Sequence, residues 1–317
     1  MTVIDESVRR LPAPSLRPFV EWYVGFRQAG VAPARHRGLP SPALTFILTL
    51  DDPLVVAAHA DPRQPPGEYT TLLGGLHTAP ALITHEGRQS GIQLALTPLG
   101  ARALLGLPAA QFANLDVDAE AVLGGFAREL RERIAARETW AGRFGVLDAV
   151  LGQRVADRGV AGASGSRGSG SGASVSHAYG LGVRPEVGYA WHRLRAASGA
   201  VRISALAAET GWSERYLNAR FRAETGLAPK EAARVFRFTA ARQRIARAAT
   251  GVVSGGVVTG GVPPGGGLSL ADLAAECGYF DQAHLAREFR SLAGCPPTQW
   301  LAEEFRNVQA SVADLGE

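Results

Sequence analysis

Lysine, methionine and cysteine are nearly absent: 317 residues hold one lysine, one methionine and two cysteines. Cys277 and Cys295 stand in no Cys-x-x-Cys or other metal-ligand spacing, so neither a thiolate metal cage nor a disulfide framework is expected. They read as inert thiols in a reducing compartment. No stretch approaches the roughly 18 uninterrupted apolar residues of a spanning helix, and no membrane partner is expected. The opening MTVIDESVRRLPAPS lacks an apolar core leading to a small-residue cleavage site, so a cytoplasmic location is expected. Nucleophile elbows, Walker-type loops and nucleotide fingerprints are missing too, and the paired glycines of TLLGGLHT match none of them. No cofactor and no enzymatic activity are expected.

The charge present is unevenly placed. The net charge is +4, yet Arg184 to Ala310 hold 16 basic and 11 acidic residues, whereas the first 183 residues hold 17 and 16. The surplus therefore lies in the C-terminal region, as expected of a part that faces phosphates. Lys230 is the only lysine, so nearly all of that charge is guanidinium.

Two tracts poor in large apolar residues cut the chain. Residues 159–182 are rich in Gly, Ser and Ala and read as a flexible tether. Residues 251–267, GVVSGGVVTGGVPPGGG, interrupt the C-terminal part, because repeated glycine and a Pro-Pro pair end regular elements. The expected units are a regulatory domain at 1–158 and a domain at 183–310, the latter divided into 183–250 and 268–310. In the first, PSLRPFVEWYVGFR reads as an opening helix or helix-strand transition. The short apolar runs ALTFILTL, LVVAAH, YTTLLGGL, PALITHE and GIQLALTP then read as strands. After Pro98 apolar residues recur at three- and four-residue spacing, which is helical. The fold class is α+β: a β-rich domain with trailing helices, then an all-α domain. Ala121, Val122, Phe126, Leu130 and Ile134 make a stripe that either packs on the domain's own sheet or pairs with a second subunit.

An internal repeat organises the C-terminal domain. ISALAAETGWSERYLNARFRAETGLAP and LADLAAECGYFDQAHLAREFRSLAGCPP share Leu-Ala-Ala-Glu at 206–209 and 273–276, and a Gly-aromatic pair at 211–212 and 278–279. One extra residue enters the second turn. Leu217 then matches Leu285, Phe221-Arg222 matches Phe289-Arg290, Gly226 matches Gly294 and Pro229 matches Pro297. In each block a short apolar stripe ends at a glycine and a second helix begins behind a cap. Ser213 caps the first of these, with Tyr216, Leu217 and Phe221 inward, and Asp281 the second. Ser269 and Asp272 suit a capping box. Two helices around a short glycine turn make a helix-turn-helix, whose second helix enters the major groove of double-stranded DNA.

These blocks resemble the AraC/XylS family of transcription regulators, whose DNA-binding unit carries two helix-turn-helix subdomains joined by a long helix. GYFDQAHLAREFRSLAGCPPTQW is similar to that family's C-terminal signature, and KEAARVFRFTAARQRIAR to its connecting helix. The resemblance spans about residues 184–305; the glycine-rich segment 251–267 is longer than the family's usual connection. It implies that Arg215, Asn218 and Ala219 in the first block, and Gln282, Ala283, Ala286 and Arg287 in the second, face base edges. Arg matches guanine, Asn and Gln match adenine, and Ala leaves room or meets a thymine methyl. Ser213, Arg222 and Arg290 are assigned to phosphates, and His284 to packing over its turn.

The resemblance further implies a cupin-like barrel at the N-terminus, a small-molecule effector, a homodimer, and RNA polymerase as partner. His36, His59, His77 and His85 lack the His-x-His order of metal-binding cupins. His77 and His85, with Glu86, are the pair a hairpin would bring together; otherwise they line a pocket or end strands. The rival readings are a helical protein-interaction adaptor, and a ligand-binding or enzymatic N-terminal domain with a helical appendage.

Overall fold

The computed structural model describes residues 3–158, 182–249 and 269–303. Residues 159–181 of the expected tether, and the insert 251–267, lie outside the described residues. The N-terminal part holds ten strands in two antiparallel sheets. One sheet orders β1 (Ile4–Arg10), β2 (Val20–Ala29), β9 (Arg88–Leu96), β4 (Leu44–Thr49), β7 (Thr71–Gly74) and β10 (Asp116–Asp118). The other orders β3 (Ala34–Gly38), β8 (Ala81–His85), β5 (Leu54–Ala58) and β6 (Gly67–Tyr69).

All five apolar runs contain strands. PSLRPFVEWYVGFR takes the second of its two readings, a helix-strand transition: a single 3-10 turn at Pro14–Leu16, after which its aromatic and β-branched residues enter β2. β1 and β3 escape a pattern search because they are polar edge strands; Asp5 to Arg10 are exposed at every position, so no alternation is written into them.

The six-stranded sheet is covered on both faces, which explains why LTFIL is almost wholly apolar. Leu44, Phe46 and Leu48, with Tyr23, Ile92, Leu94 and Leu96, pack into the main core beneath the helices. The alternate residues Thr45, Ile47, Gln93 and Ala95 point the other way and line a cavity of about 480 Å³.

Behind the sheets come α1 (Ala101–Leu105), α2 (Ala119–Leu123), α3 (Gly125–Ala135) and α4 (Trp140–Asp157). The stripe on α2 and α3 serves its own domain. Leu130 and Ile134 are buried, and the half-buried Val122 and Phe126 pack on the same core, although Ala121 is exposed. The Arg154 guanidinium lies 3.9 Å from the Phe126 ring centre. On α4, Asp148 accepts a hydrogen bond from the Tyr23 hydroxyl at 3.2 Å, and Phe144 stacks on Tyr23 at 6.0 Å.

The C-terminal part comprises α5 (Pro185–Ala196), α6 (Ile203–Thr210), α7 (Glu214–Thr225), α8 (Pro229–Ala249), α9 (Leu270–Glu276) and α10 (Gln282–Ala293). The long α8 carries both repeats. Its first half gives Ala232, Ala233, Val235 and Phe236 to the main core with Trp191, Leu206, Leu217 and Phe221. Its second half gives Phe238, Ala241 and Ile245 to a separate cluster with Leu273, Leu285, Phe289 and Trp300. The main core runs unbroken from the six-stranded sheet into α7.

Candidate nucleic-acid interface

Each repeat folds into two helices around a tight turn. Gly211 and Gly278 adopt φ of 71° and 72°, and this left-handed backbone, cheap only for glycine, turns the chain between the helices. Ser213 Oγ accepts the Tyr216 N–H at 3.2 Å, and Asp281 Oδ1 accepts the His284 N–H, so the expected caps start α7 and α10. Ser269 Oγ likewise accepts the Asp272 N–H at 3.3 Å. Leu217 and Phe221 on α7, and Leu285 and Phe289 on α10, are buried. Tyr216 is not an inward residue. It is 36% exposed, and its ring lies edge-on to Trp212 at 4.8 Å with the Arg220 guanidinium 5.0 Å from it. Trp212, only half-buried, is what Tyr216 packs on, so the aromatic pair caps the core from outside.

The remaining faces of α7 and α10 are open. Arg215, Asn218 and Ala219 are exposed, as are Gln282, Ala283 and Arg287; Ala286 is half-buried beside them. Among the described residues, Arg215, Arg287 and Arg290 have no acidic partner, so their guanidinium donors are unspent. Arg222 differs: it holds Glu231 at 2.9 Å, and a phosphate would have to draw it from that carboxylate. Ser213 is exposed, and its cap uses the oxygen as acceptor, leaving the hydroxyl proton to donate. His284 packs edge-on against the buried Tyr279 at 5.4 Å, as its assignment to the turn requires.

The two open faces are held on one scaffold. Arg234 of α8 reaches Glu288 at 2.7 Å and the Ser291 hydroxyl at 3.2 Å, both on α10. Phe238 lies edge-on to Phe289 at 4.9 Å. At the other end, Trp191 stacks on Phe221 at 5.8 Å and meets Phe236 at 5.0 Å. Both repeats are thus oriented by their packing on α8.

The N-terminal domain touches this apparatus directly. Arg102 on α1 makes a paired contact with Glu224 on α7, Nε–Oε1 at 2.7 Å and Nη2–Oε2 at 2.9 Å, and only 9% of the Glu224 side chain is exposed. Gly226, which ends α7, lets Ala113 approach to where a Cβ would lie 2.6 Å from its own. Arg195 pairs with Glu21 at 3.0 Å, and Arg37 pairs with Glu303. Pattern reading missed these contacts, because a charge pair 122 residues apart in sequence leaves no local signature.

The cavity between the sheets mixes an apolar wall, including Phe26, Ile47 and Leu72, with polar groups such as Gln93, His36 and, from α8, Arg242. His77 and His85 do not converge. His85 instead neighbours His36 across the β3–β8 ladder at 6.2 Å, while His77 Nδ1 faces the Ala79 carbonyl at 2.5 Å. His59 meets Asp116 at 2.7 Å and Tyr69 at 3.3 Å. No metal-binding cluster of three His, Cys, Asp or Glu side chains occurs among the described residues.

Burial, with His85 beside it, lowers the His36 pKa to about 4, and burial lowers those of His77 and His85. In the unfolded chain these imidazoles titrate near 6.5. Between these values the unfolded state binds more protons, so stability is full above about pH 6.5 and declines as pH falls toward 4. For His36 alone the loss by pH 4 is roughly 3 kcal/mol. Thermal unfolding midpoints across this range should show the decline, and His36→Gln should flatten it; equal slopes in both chains would remove His36 as a cause.

Comparison with known proteins bears on these parts separately. Residues 263–302 match the family described as bacterial regulatory helix-turn-helix proteins, AraC family. Residues 8–118 match a domain of unknown function, DUF6597. No curated protein matches the chain. Among solved structures, ToxT from Vibrio cholerae O395 is 10% identical, covering 95% of this chain and 97% of its own, with a TM-score of 0.43. ToxT bound to (E)-4-(8-methylnaphthalen-1-yl)but-3-enoic acid, from the same organism, is 10% identical, covering 96% and 99%, with a TM-score of 0.45. Likeness at this level carries no functional conclusion. Among the described residues no helix is long and apolar enough to cross a membrane.

Proposed function

We propose that this chain, which carries an AraC-family DNA-binding helix-turn-helix, is a sequence-specific transcription regulator that reads two successive major grooves with α7 and α10. One observation supports this above all. Two capped helices, anchored to opposite halves of α8, each turn a largely exposed row of side chains outward: Arg215, Asn218 and Ala219 on one, Gln282, Ala283, the half-buried Ala286 and Arg287 on the other. Ser213, Arg222 and Arg290 take phosphates and set the register. The cavity of the N-terminal domain takes a small-molecule effector with an apolar body and a polar end, supported by its Phe26–Ile47–Leu72 wall and its Gln93, His36 and Arg242 groups. RNA polymerase as partner and a homodimer as the assembly rest on the family resemblance alone.

The test is selection of bound fragments from genomic DNA by the purified full chain at two salt concentrations. The reading expects a shared motif with two blocks about one helical turn apart, and affinity that falls steeply with salt. Binding without any motif, or none at all, would favour an interaction adaptor over a sequence reader.

A further inference from the structure

The turn of the second reading unit is one residue longer than that of the first, and the added residue is the most exposed large apolar side chain among those described. In the first turn, Trp212 is followed at once by the cap Ser213. In the second, Phe280 stands between the corresponding Tyr279 and the cap Asp281. Tyr279 is buried at 4%, but Phe280 is 91% exposed.

Its backbone is tied to the start of α10. The Phe280 N–H donates to His284 Nδ1 at 3.2 Å, His284 lies edge-on to Tyr279, and the His284 N–H is held by the Asp281 carboxylate. The extra residue is therefore pinned at the N-terminal mouth of α10, one residue before the cap and two before Gln282. The N-terminal residues of a recognition helix are those that meet base edges. An exposed phenylalanine there cannot bond a phosphate or a base edge, and the apolar group the major groove offers is the thymine 5-methyl.

We propose that Phe280 is a specificity-determining residue of the second reading unit, taking a thymine methyl group at the edge of the block read by Gln282 and Arg287. The first unit has no counterpart, so this preference belongs to the second block alone. The inference rests on the reading that α10 enters the major groove.

The test uses the full chain and its Phe280→Ala variant in parallel selections from random duplexes. On the site recovered by the wild type, the flanking thymine is then replaced by deoxyuridine, which removes only the methyl. Phe280 is exposed, so the variant should fold; circular dichroism matching the wild type confirms it. The expected result is a thymine preference beside the second block for the wild type and none for the variant. Deoxyuridine should weaken the wild type about fourfold, the burial of one methyl group, and leave the variant unchanged. Phe280→Leu, which keeps apolar surface, should retain part of the preference. Identical motifs and identical responses to deoxyuridine would overturn the role of Phe280 alone. A wild-type chain that recovers no motif would instead overturn the sequence-reading function, and this inference with it.

Discussion

A chain carrying Arg215→Ala together with Arg287→Ala should still bind DNA but should no longer distinguish its site from bulk sequence. A guanidinium bidentate to guanine O6 and N7 is worth about 1–3 kcal/mol of discrimination. The two arginines sit on separate helices, each anchored to its own cluster, and share no partner, so their losses should add. Together they amount to about 2–6 kcal/mol, roughly thirtyfold to over ten-thousandfold in the ratio of specific to non-specific affinity. Neither side chain supports the fold: both are exposed and without an acidic partner among the described residues. Dissociation constants for the selected site and a scrambled duplex, each at two salt concentrations, check this. The scrambled duplex should bind nearly as before, and its salt slope should persist, because Arg290 and the other phosphate-facing groups remain. If instead both duplexes weaken equally and the slope shrinks, these two arginines hold phosphates and the base-reading assignment is wrong.

How much of this was legible in the sequence depends on how local each signal is. The reading units were legible because every anchor is local: a glycine at positive φ, a cap three residues before the amide it holds, and Leu and Phe one helical turn apart. The central strands were legible as apolar runs. The polar edge strands β1 and β3 were not: β1 is exposed along almost its whole length, and β3, Ala-Arg-His-Arg-Gly, carries no apolar alternation. Tyr216 was misplaced because its spacing fits the buried face, yet the core there is already filled by Leu217 and Phe221, and the ring found Trp212 instead. The extra residue in the second turn was visible as an alignment gap; that it displays its ring to solvent follows only from where Asp281 caps the helix. The contacts between the N-terminal domain and the reading units were invisible, because Arg102 and Glu224, like Arg195 and Glu21, are joined by tertiary placement alone.

Trp191→Ala should cost about 3–5 kcal/mol of stability, the range for removing a large aromatic from a closed core. The side chain is 2% exposed and lies against both Phe221 of α7 and Phe236 of α8, so its loss leaves a cavity where three helices meet. The damage should be uneven. Trp191 belongs to the core shared by α7 and the six-stranded sheet, whereas α10 rests on the Phe238–Phe289–Trp300 cluster, which contains no part of it. Amide hydrogen exchange should therefore quicken along α7 well before it quickens along α10. Equal loosening of both helices would mean that the two clusters melt as one unit. The cavity reaches the two reading helices by different routes: through the shared core to α7, and through Leu39 and Arg242, which line it beside the cluster under α10. Thr45, Ile47, Gln93 and Ala95 face the cavity, while Phe46, Ile92 and Leu94 of the same strands face the core that includes Phe221. A molecule that binds the cavity stabilises the folded sheet by mass action, and that protection should extend to α7 through the shared core and to α10 through the Leu39 and Arg242 side; slower exchange in α7 alone would mean that this side carries no coupling.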